Sequence, residues 1–251
     1  MQTDSPQPAS PFAEGLLQQQ VTIVTGTGQL MADAIARRFA KAGARLVLVH
    51  LPEHEAAANE LGQKLGAAMV LSCELSDPQS VSATVRRVVT ELGGVDILVN
   101  ANVTRSPGLL SDFSLDQWKH VIERQLSGTV YFCKEVIRPM MRKRAGRIMT
   151  VLDIAPGSAS VVAAKGIAAM TRSLASEVAR QGIYVNNLVV NVLLEEVDSL
   201  TPAQRGRIDT EVGPLNRLGS ADEIAESALF LATSAANLMT GNSLSASGGL
   251  W

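Results

Sequence analysis

The chain has 251 residues, 46% of them hydrophobic and 18% charged, with a formal net charge of −2. That length suits one α/β domain with a full core, and the near-neutral charge offers no basic field to draw nucleic acid by its phosphates. Cys73 and Cys133 lie far apart in apolar segments, which fits reduced thiols in a cytoplasmic protein better than a disulfide framework. No metal-ligand spacing is present, and no charge-free apolar stretch reaches the ~18 residues of a membrane-spanning helix.

Residues 1–15 hold Pro6, Pro8 and Pro11 among Ser, Gln and Thr, with neither a basic start nor an apolar run. They read as a flexible arm rather than a secretory signal, and residues 16–251 as the domain. Val21–Thr25 is a short β-branched run that stops at Gly26-Thr27-Gly28. Ala34–Gly43 comes next with helical spacing and a glycine stop, and Leu46–Val49 returns to a buried-strand pattern, which completes a βαβ unit. Later strands are predicted at Val70–Cys73, Ile97–Val99, Arg147–Leu152, Val185–Val190 and Ser243–Ala246. Helices are predicted near Glu53–Leu65, Pro78–Leu92, Leu115–Arg144, Ala159–Arg180 and Ala221–Ser234. Continuous apolar strands alternating with helices imply a parallel sheet covered on both faces. The expected fold is a single doubly wound α/β domain with a seven-stranded parallel sheet. The connection from Leu193 to Gly213 is longer than the ~12–15 residues of an ordinary loop and is expected to be functional.

Gly146–Asp153 is a strand-like run; after a small-residue turn comes an alanine-rich helix containing Val161-Val162-Ala163-Ala164-Lys165-Gly166. With Asp96-Ile97-Leu98-Val99-Asn100, Trp118–Gly128, Pro214–Gly219 and Gly248-Gly249, this resembles the short-chain dehydrogenase/reductase family over nearly everything after Gln20. The resemblance implies a Rossmann-like domain, with Leu193–Gly213 as its substrate-covering loop. It also implies catalysis by a Ser at the strand end, a Tyr-x-x-x-Lys helix and a supporting Asn in the fourth helix. Here Asp153 stands at the Ser position, Val161 at the Tyr position and Gln125 at the Asn position, while Lys165 remains. Val161 has no proton to give, and a carboxylate at Asp153 would repel a developing alkoxide. Lys165 either binds ribose hydroxyls or pairs with Asp153 inside a vacated pocket, because an isolated buried charge is costly.

A dinucleotide needs a tight glycine turn at a helix start so that backbone amides can approach the pyrophosphate. The family form Thr-Gly-x-x-x-Gly-x-Gly begins at Thr25-Gly26 and places Leu30 and Ala32 at the second and third glycines. Ala32 is a mild change, whereas Leu30 takes space that the phosphates need. The second strand ends at His50, with neither a ribose carboxylate nor an Arg. Glu74 stands where the family has an Asp beside adenine, or simply belongs to a surface turn. The family's Asn-Asn-Ala-Gly becomes Asn100-Ala101-Asn102-Val103, and its Pro-Gly with a following Thr becomes Val190-Asn191 with Glu195.

These departures predict a chain that binds no cofactor itself and is no enzyme by itself. It would be a silent structural subunit assembled with an active paralogue in a heterotetramer, with NAD held by the partner subunit. The inactive subunit of a hydroxyacyl-CoA dehydrogenase of benzylsuccinate (toluene) degradation is one such arrangement. The resemblance places the fourth and fifth helices across a twofold axis, making Phe132, Met170, Leu174 and Val178 interface candidates. Trp251 is the candidate for a second interface, and core packing is the other reading of each of these residues. A small-molecule or nucleotide-binding regulator on the same scaffold, and an enzyme with atypical chemistry using Asp153 and Lys165, stay open.

Overall fold

The computed structural model describes residues 15–103, 113–154, 158–199 and 214–249. Expectations for residues 1–14, for most of the Leu193–Gly213 connection and for Trp251 lie outside the described residues. The first half is β1 (Val21–Thr25), α1 (Leu30–Lys41), β2 (Arg45–His50), a 3₁₀ turn (Pro52–His54), α2 (Glu55–Leu65), β3 (Met69–Ser72), α3 (Pro78–Leu92) and β4 (Ile97–Asn100). The second half opens with α4 (Leu115–Val121), a π-helical turn (Ile122–Ser127) and α5 (Gly128–Lys143). It continues with β5 (Gly146–Asp153), α6 (Ser158–Val178), β6 (Ile183–Val190), a 3₁₀ turn (Leu194–Ser199), α7 (Ala221–Ala232) and β7 (Ser243–Ser245).

The strands form one seven-stranded parallel sheet in the order β3-β2-β1-β4-β5-β6-β7, as expected. Strand alternation divides the core into two layers. Val24, Ile97 and Val99 face the side packed by α1, α2 and α7, with Ile35, Phe39, Leu61 and Leu229. Ile23 and Leu98 face the side packed by α3, α5 and α6, with Val85, Phe132, Met140 and Val178. Burial on both faces explains why these strands read as continuous apolar runs.

Two differences from the sequence reading bear on function. α1 begins at Leu30 rather than Ala34, directly after the glycine turn. The segment expected as one helix over Leu115–Arg144 is interrupted by the π turn, which carries Gln125. At the start of α5, a Cβ on Gly128 would lie 2.9 Å from the Leu75 carbonyl oxygen, so the helix lies directly against the chain leaving β3. π turns inside helices are frequent at functional sites. Among the described residues, no helix is long and apolar enough to cross a membrane.

Local stability rests on ordinary devices. Ser220 and Glu223 form a capping box at α7, with side-chain to amide distances of 3.2 and 2.9 Å, and Phe39 is fully buried between α1 and the sheet. Phe39→Ala is expected to lower unfolding free energy by about 3–5 kcal/mol, and Ser220→Ala by about 1 kcal/mol. Urea denaturation of both variants checks the ranking.

Candidate functional site

Consecutive strands β1, β2 and β3 build one half of the sheet and β4 starts the other, so the order reverses between β1 and β4. Open α/β sheets bind ligands outside the carboxyl ends of the strands at such a point. Gly26 (φ +81°) turns the chain there, and a Cβ on it would meet Asn102 Cα at 2.7 Å and the Ala101 oxygen at 2.8 Å. The turn after β1 therefore lies on the chain leaving β4. Gly28 (φ +90°) is equally restricted, since a Cβ would fall 2.7 Å from His54 Cβ. The 3₁₀ turn after β2 thus packs on the same turn, and the amide of Thr27 donates to the Val49 carbonyl at 3.2 Å.

Polar side chains at this end of the sheet lack partners although they are buried. Among the described residues, Thr27 Oγ1 and both amide atoms of Asn102 and of Gln125 meet no hydrogen-bond partner. Their residues are 0%, 8% and 2% exposed. Each such group costs about 1–3 kcal/mol if nothing satisfies it, so several at one end of a sheet mark a ligand surface better than a packed core. Thr27 and Asn102 belong to the β1/β4 crevice; Gln125 lies where the π turn packs on α6, next to the Leu126–Gly166 contact. The orphaned polar atoms of Thr27 and Asn102 beside the glycine turn fit a dinucleotide in the crevice.

The reacting end is built by β5, α6 and β6. Asp153 is the last residue of β5, 1% exposed and in register with Val190. Val161 is half-buried on α6, and Lys165, one turn on, is exposed. Lys165 is thus not enclosed as an isolated buried charge, while Asp153 is. Asn191 comes directly after β6 and lines a cavity of about 440 Å³ with Val192, Leu193, Leu215, Arg217 and Ser245. Glu195 serves the fold, since its Oε1 accepts the Ala221 amide at 3.0 Å and ties the turn after β6 to the start of α7.

At the β2 and β3 ends, His50 is buried, with Nδ1 2.9 Å from the Leu51 carbonyl, and Leu30 is 36% exposed at the head of α1. Arg124 of the π turn bridges Glu53 (2.7 Å) and Glu74 (3.0 Å). Glu74 therefore belongs to an ion-pair network linking the chain after β2, the chain after β3 and the π turn. Burial works against its charge, but hydrogen bonds from Ser76 and Arg124 outweigh this and hold its carboxyl below the ordinary value. Glu53 is likewise lowered, first by its own backbone amide and then by Arg124.

Phe132 and Val178 lie in the core beneath α5 and α6, with Met170 and Leu174 partly buried against them. Cys133 is buried there too, 3.8 Å from Asn100 Nδ2, and burial pushes its thiol up to about 12. Sequence reasoning missed Thr27 and Arg124. A hydroxyl inside the glycine turn was the available signal for Thr27, while nothing short of the π turn's geometry signals Arg124.

A doubly wound sheet with a restricted glycine turn and unsatisfied polar side chains at its reversal point defines the dinucleotide-fold class. Residues 26–251 match the family model described as Enoyl-(Acyl carrier protein) reductase. The chain is 36% identical over 241 residues to the 3-oxoacyl-[acyl-carrier-protein] reductase of Escherichia coli K12, covering 92% of this chain and 97% of that protein. It is 34% identical over 245 residues to the reductase of the same name from Vibrio cholerae, covering 94% and 98%. A crystal structure of a short-chain dehydrogenase/reductase from Burkholderia xenovorans superposes with a TM-score of 0.85 at 28% identity, covering 94% of this chain and 98% of that one. The chain belongs to the short-chain dehydrogenase/reductase family.

These relatives overturn the expectation of a silent structural subunit that is no enzyme and binds no cofactor. Proteins matching nearly the whole chain are reductases by name, and so is the family. Weighing motif positions singly counts Leu30, His50, Asn102, Asn191, Gln125, Asp153 and Val161 as losses. In the fold, Leu30 is 36% exposed at the head of α1, and the side-chain amides of Asn102 and Gln125 are buried without a hydrogen-bond partner.

Gln125→Leu is expected to leave the ligand-free protein as stable or up to about 2 kcal/mol more stable, because it removes an unsatisfied buried amide, while lowering activity. Thermal melts beside turnover assays check this pairing. Glu53 and Glu74 have lowered folded values, so the stability they add is present above the ordinary carboxylate range and is lost as pH falls through those values. Arg124→Gln is expected to shrink the loss of stability between about pH 5 and 3, read as the urea midpoint against pH.

Proposed function

We propose that the chain is a nicotinamide-dependent reductase of 3-oxoacyl thioesters, or of closely related carbonyl compounds. The observation that carries this reading is the set of unsatisfied polar side chains, Thr27, Asn102 and Gln125, along a crevice of the reductase fold. The names of the relatives supply the substrate class. The cavity beyond β6, with Val192, Leu193, Leu215, Leu218 and Ile224 on its wall, offers an apolar surface beside the reacting end for an acyl group.

A bound nicotinamide supplies the hydride; the chain supplies the rest. Thr27 and Asn102 hold the cofactor along the crevice. Gln125, whose amide is enclosed in the ligand-free chain, would turn its N–H to the carbonyl oxygen on binding, polarising it where negative charge grows. Lys165 gives its Nζ proton to that oxygen and recovers one from water, because the residue is exposed. Val161 contributes an apolar wall in place of the family's phenol. Asp153 is a buried polar group at the end of β5.

The test is consumption of NADH or NADPH by the full-length chain with acetoacetyl-CoA as substrate. Turnover is expected, and Lys165→Met should lower kcat by about 10²-fold or more, the usual worth of a general acid. Val161→Tyr should raise kcat by about 10-fold or more as a phenol returns beside Lys165. Absence of dinucleotide binding together with absence of turnover would sink the reading.

A further inference from the structure

We infer that Asp33 sets how tightly this chain holds a dinucleotide, because its carboxylate already occupies a backbone amide of the glycine turn that a pyrophosphate needs. The inference rests on the proposed reading of the crevice.

The Gly28 amide donates to Asp33 Oδ1 at 2.7 Å. Asp33 lies in the first turn of α1, and the residue before that helix, Gln29, makes no side-chain cap bond. The anion at the head of α1 is therefore one that the chain brings itself. It takes up one of the N–H groups of the glycine turn at the sheet's reversal point, where Gly28 cannot carry a side chain because His54 Cβ occupies that space. The groups facing Asp33 neutralise it weakly. Arg37 Nη2 stands 4.0 Å from the other carboxylate oxygen on a half-exposed side chain, and His54 approaches from the 3₁₀ turn, with its Nε2 3.4 Å from Gln29 Nε2.

Burial raises the Asp33 carboxyl above its ordinary value, although the Gly28 amide, Arg37 and His54 all pull it down. A carboxylate with a raised folded value lowers stability once pH rises past its unfolded value. At neutral pH the charge is thus held at a cost to the fold, and losing it is not expected to destabilise the chain.

A pyrophosphate entering the turn meets a carboxylate where it requires N–H donors, so binding has to lift Asp33 off Gly28 or accept the repulsion. Like charges a few ångströms apart at a half-buried site amount to about 10- to 100-fold in affinity. The contact acts as a latch on the cofactor site, separate from the proton chemistry at the far end of the crevice.

Calorimetric titration of the full-length chain with NADH, NADPH and ADP, and with adenosine as a probe lacking phosphate, tests this. Asp33→Ala is expected to tighten the three phosphate-bearing ligands by about 10-fold or more and to leave adenosine unchanged. Asp33→Asn should tighten them less, because its amide oxygen still accepts from Gly28 while the charge is gone, and it covers the case in which the alanine variant fails to fold. Raising the salt concentration should narrow the gap between wild type and either variant. Dinucleotide binding that is present but no tighter in folded Asp33 variants overturns this inference alone. Binding absent from wild type and variants alike overturns the reductase reading with it.

Discussion

The pairing of β1 with β2 on one side and with β4 on the other is the constraint on which the site depends. Thr25 is aligned with Val49 across one edge and with Asn100 across the other, so three strands end at one level and their continuations must turn away together. Gly26 and Gly28 are the positions where that crowding leaves no room for a side chain. The segments leaving the three strands are then pressed into one crevice: Thr27 after β1, the 3₁₀ turn with His54 after β2, and Asn102 after β4. None of these groups needs its neighbours in sequence to be brought together; the parallel register alone does it.

Stability and function pull against each other along this crevice. The core below it satisfies itself, with Phe39, Ile35 and Leu229 on one face and Phe132, Val85 and Met140 on the other. The rim leaves the amides of Asn102 and Gln125 unsatisfied and keeps a carboxylate at the head of α1 whose burial disfavours its charge. A sequence selected for folding alone would place apolar side chains at these points, since an apolar group of like shape costs less than an unpaired amide. The Arg124 bridge offsets part of the burden, because it ties the chains after β2 and β3 to the π turn that presents Gln125.

The fold was almost wholly legible in the sequence, because both-face burial writes itself as continuous apolar runs such as Val21–Thr25 and Ile97–Asn100. The π turn was not legible. Ile122–Ser127 has ordinary helical composition, and its π geometry is seen only in the folded backbone. The conclusion of a silent, cofactor-free chain drawn from the changed site positions was overturned by the relatives. Leu30 is bulky as a letter, and its place at the first position of α1, partly exposed, is set by the fold. Gln125 reads as a lengthened Asn, but in the π turn its amide is buried and unsatisfied. Motif matching compares residue types, whereas binding depends on which polar atoms the fold leaves without partners, and that is set by contacts far apart in sequence.

The replacement at Val161 also changes where a proton can come from. A phenol beside a lysine is an acid whose strength the lysine tunes, and it can work in a site closed to water. In the proposed reaction, with an apolar side chain there instead, Lys165 supplies the proton, and its exposure puts bulk water within reach to replace it. An ammonium is a weaker acid than a tuned phenol, so in the proposed reaction more of the barrier falls on polarising the carbonyl before the proton arrives. That shifts weight onto Gln125 as the amide donor. On the proposed reading, that donation is the use of a buried, unpaired amide on a distorted helical turn.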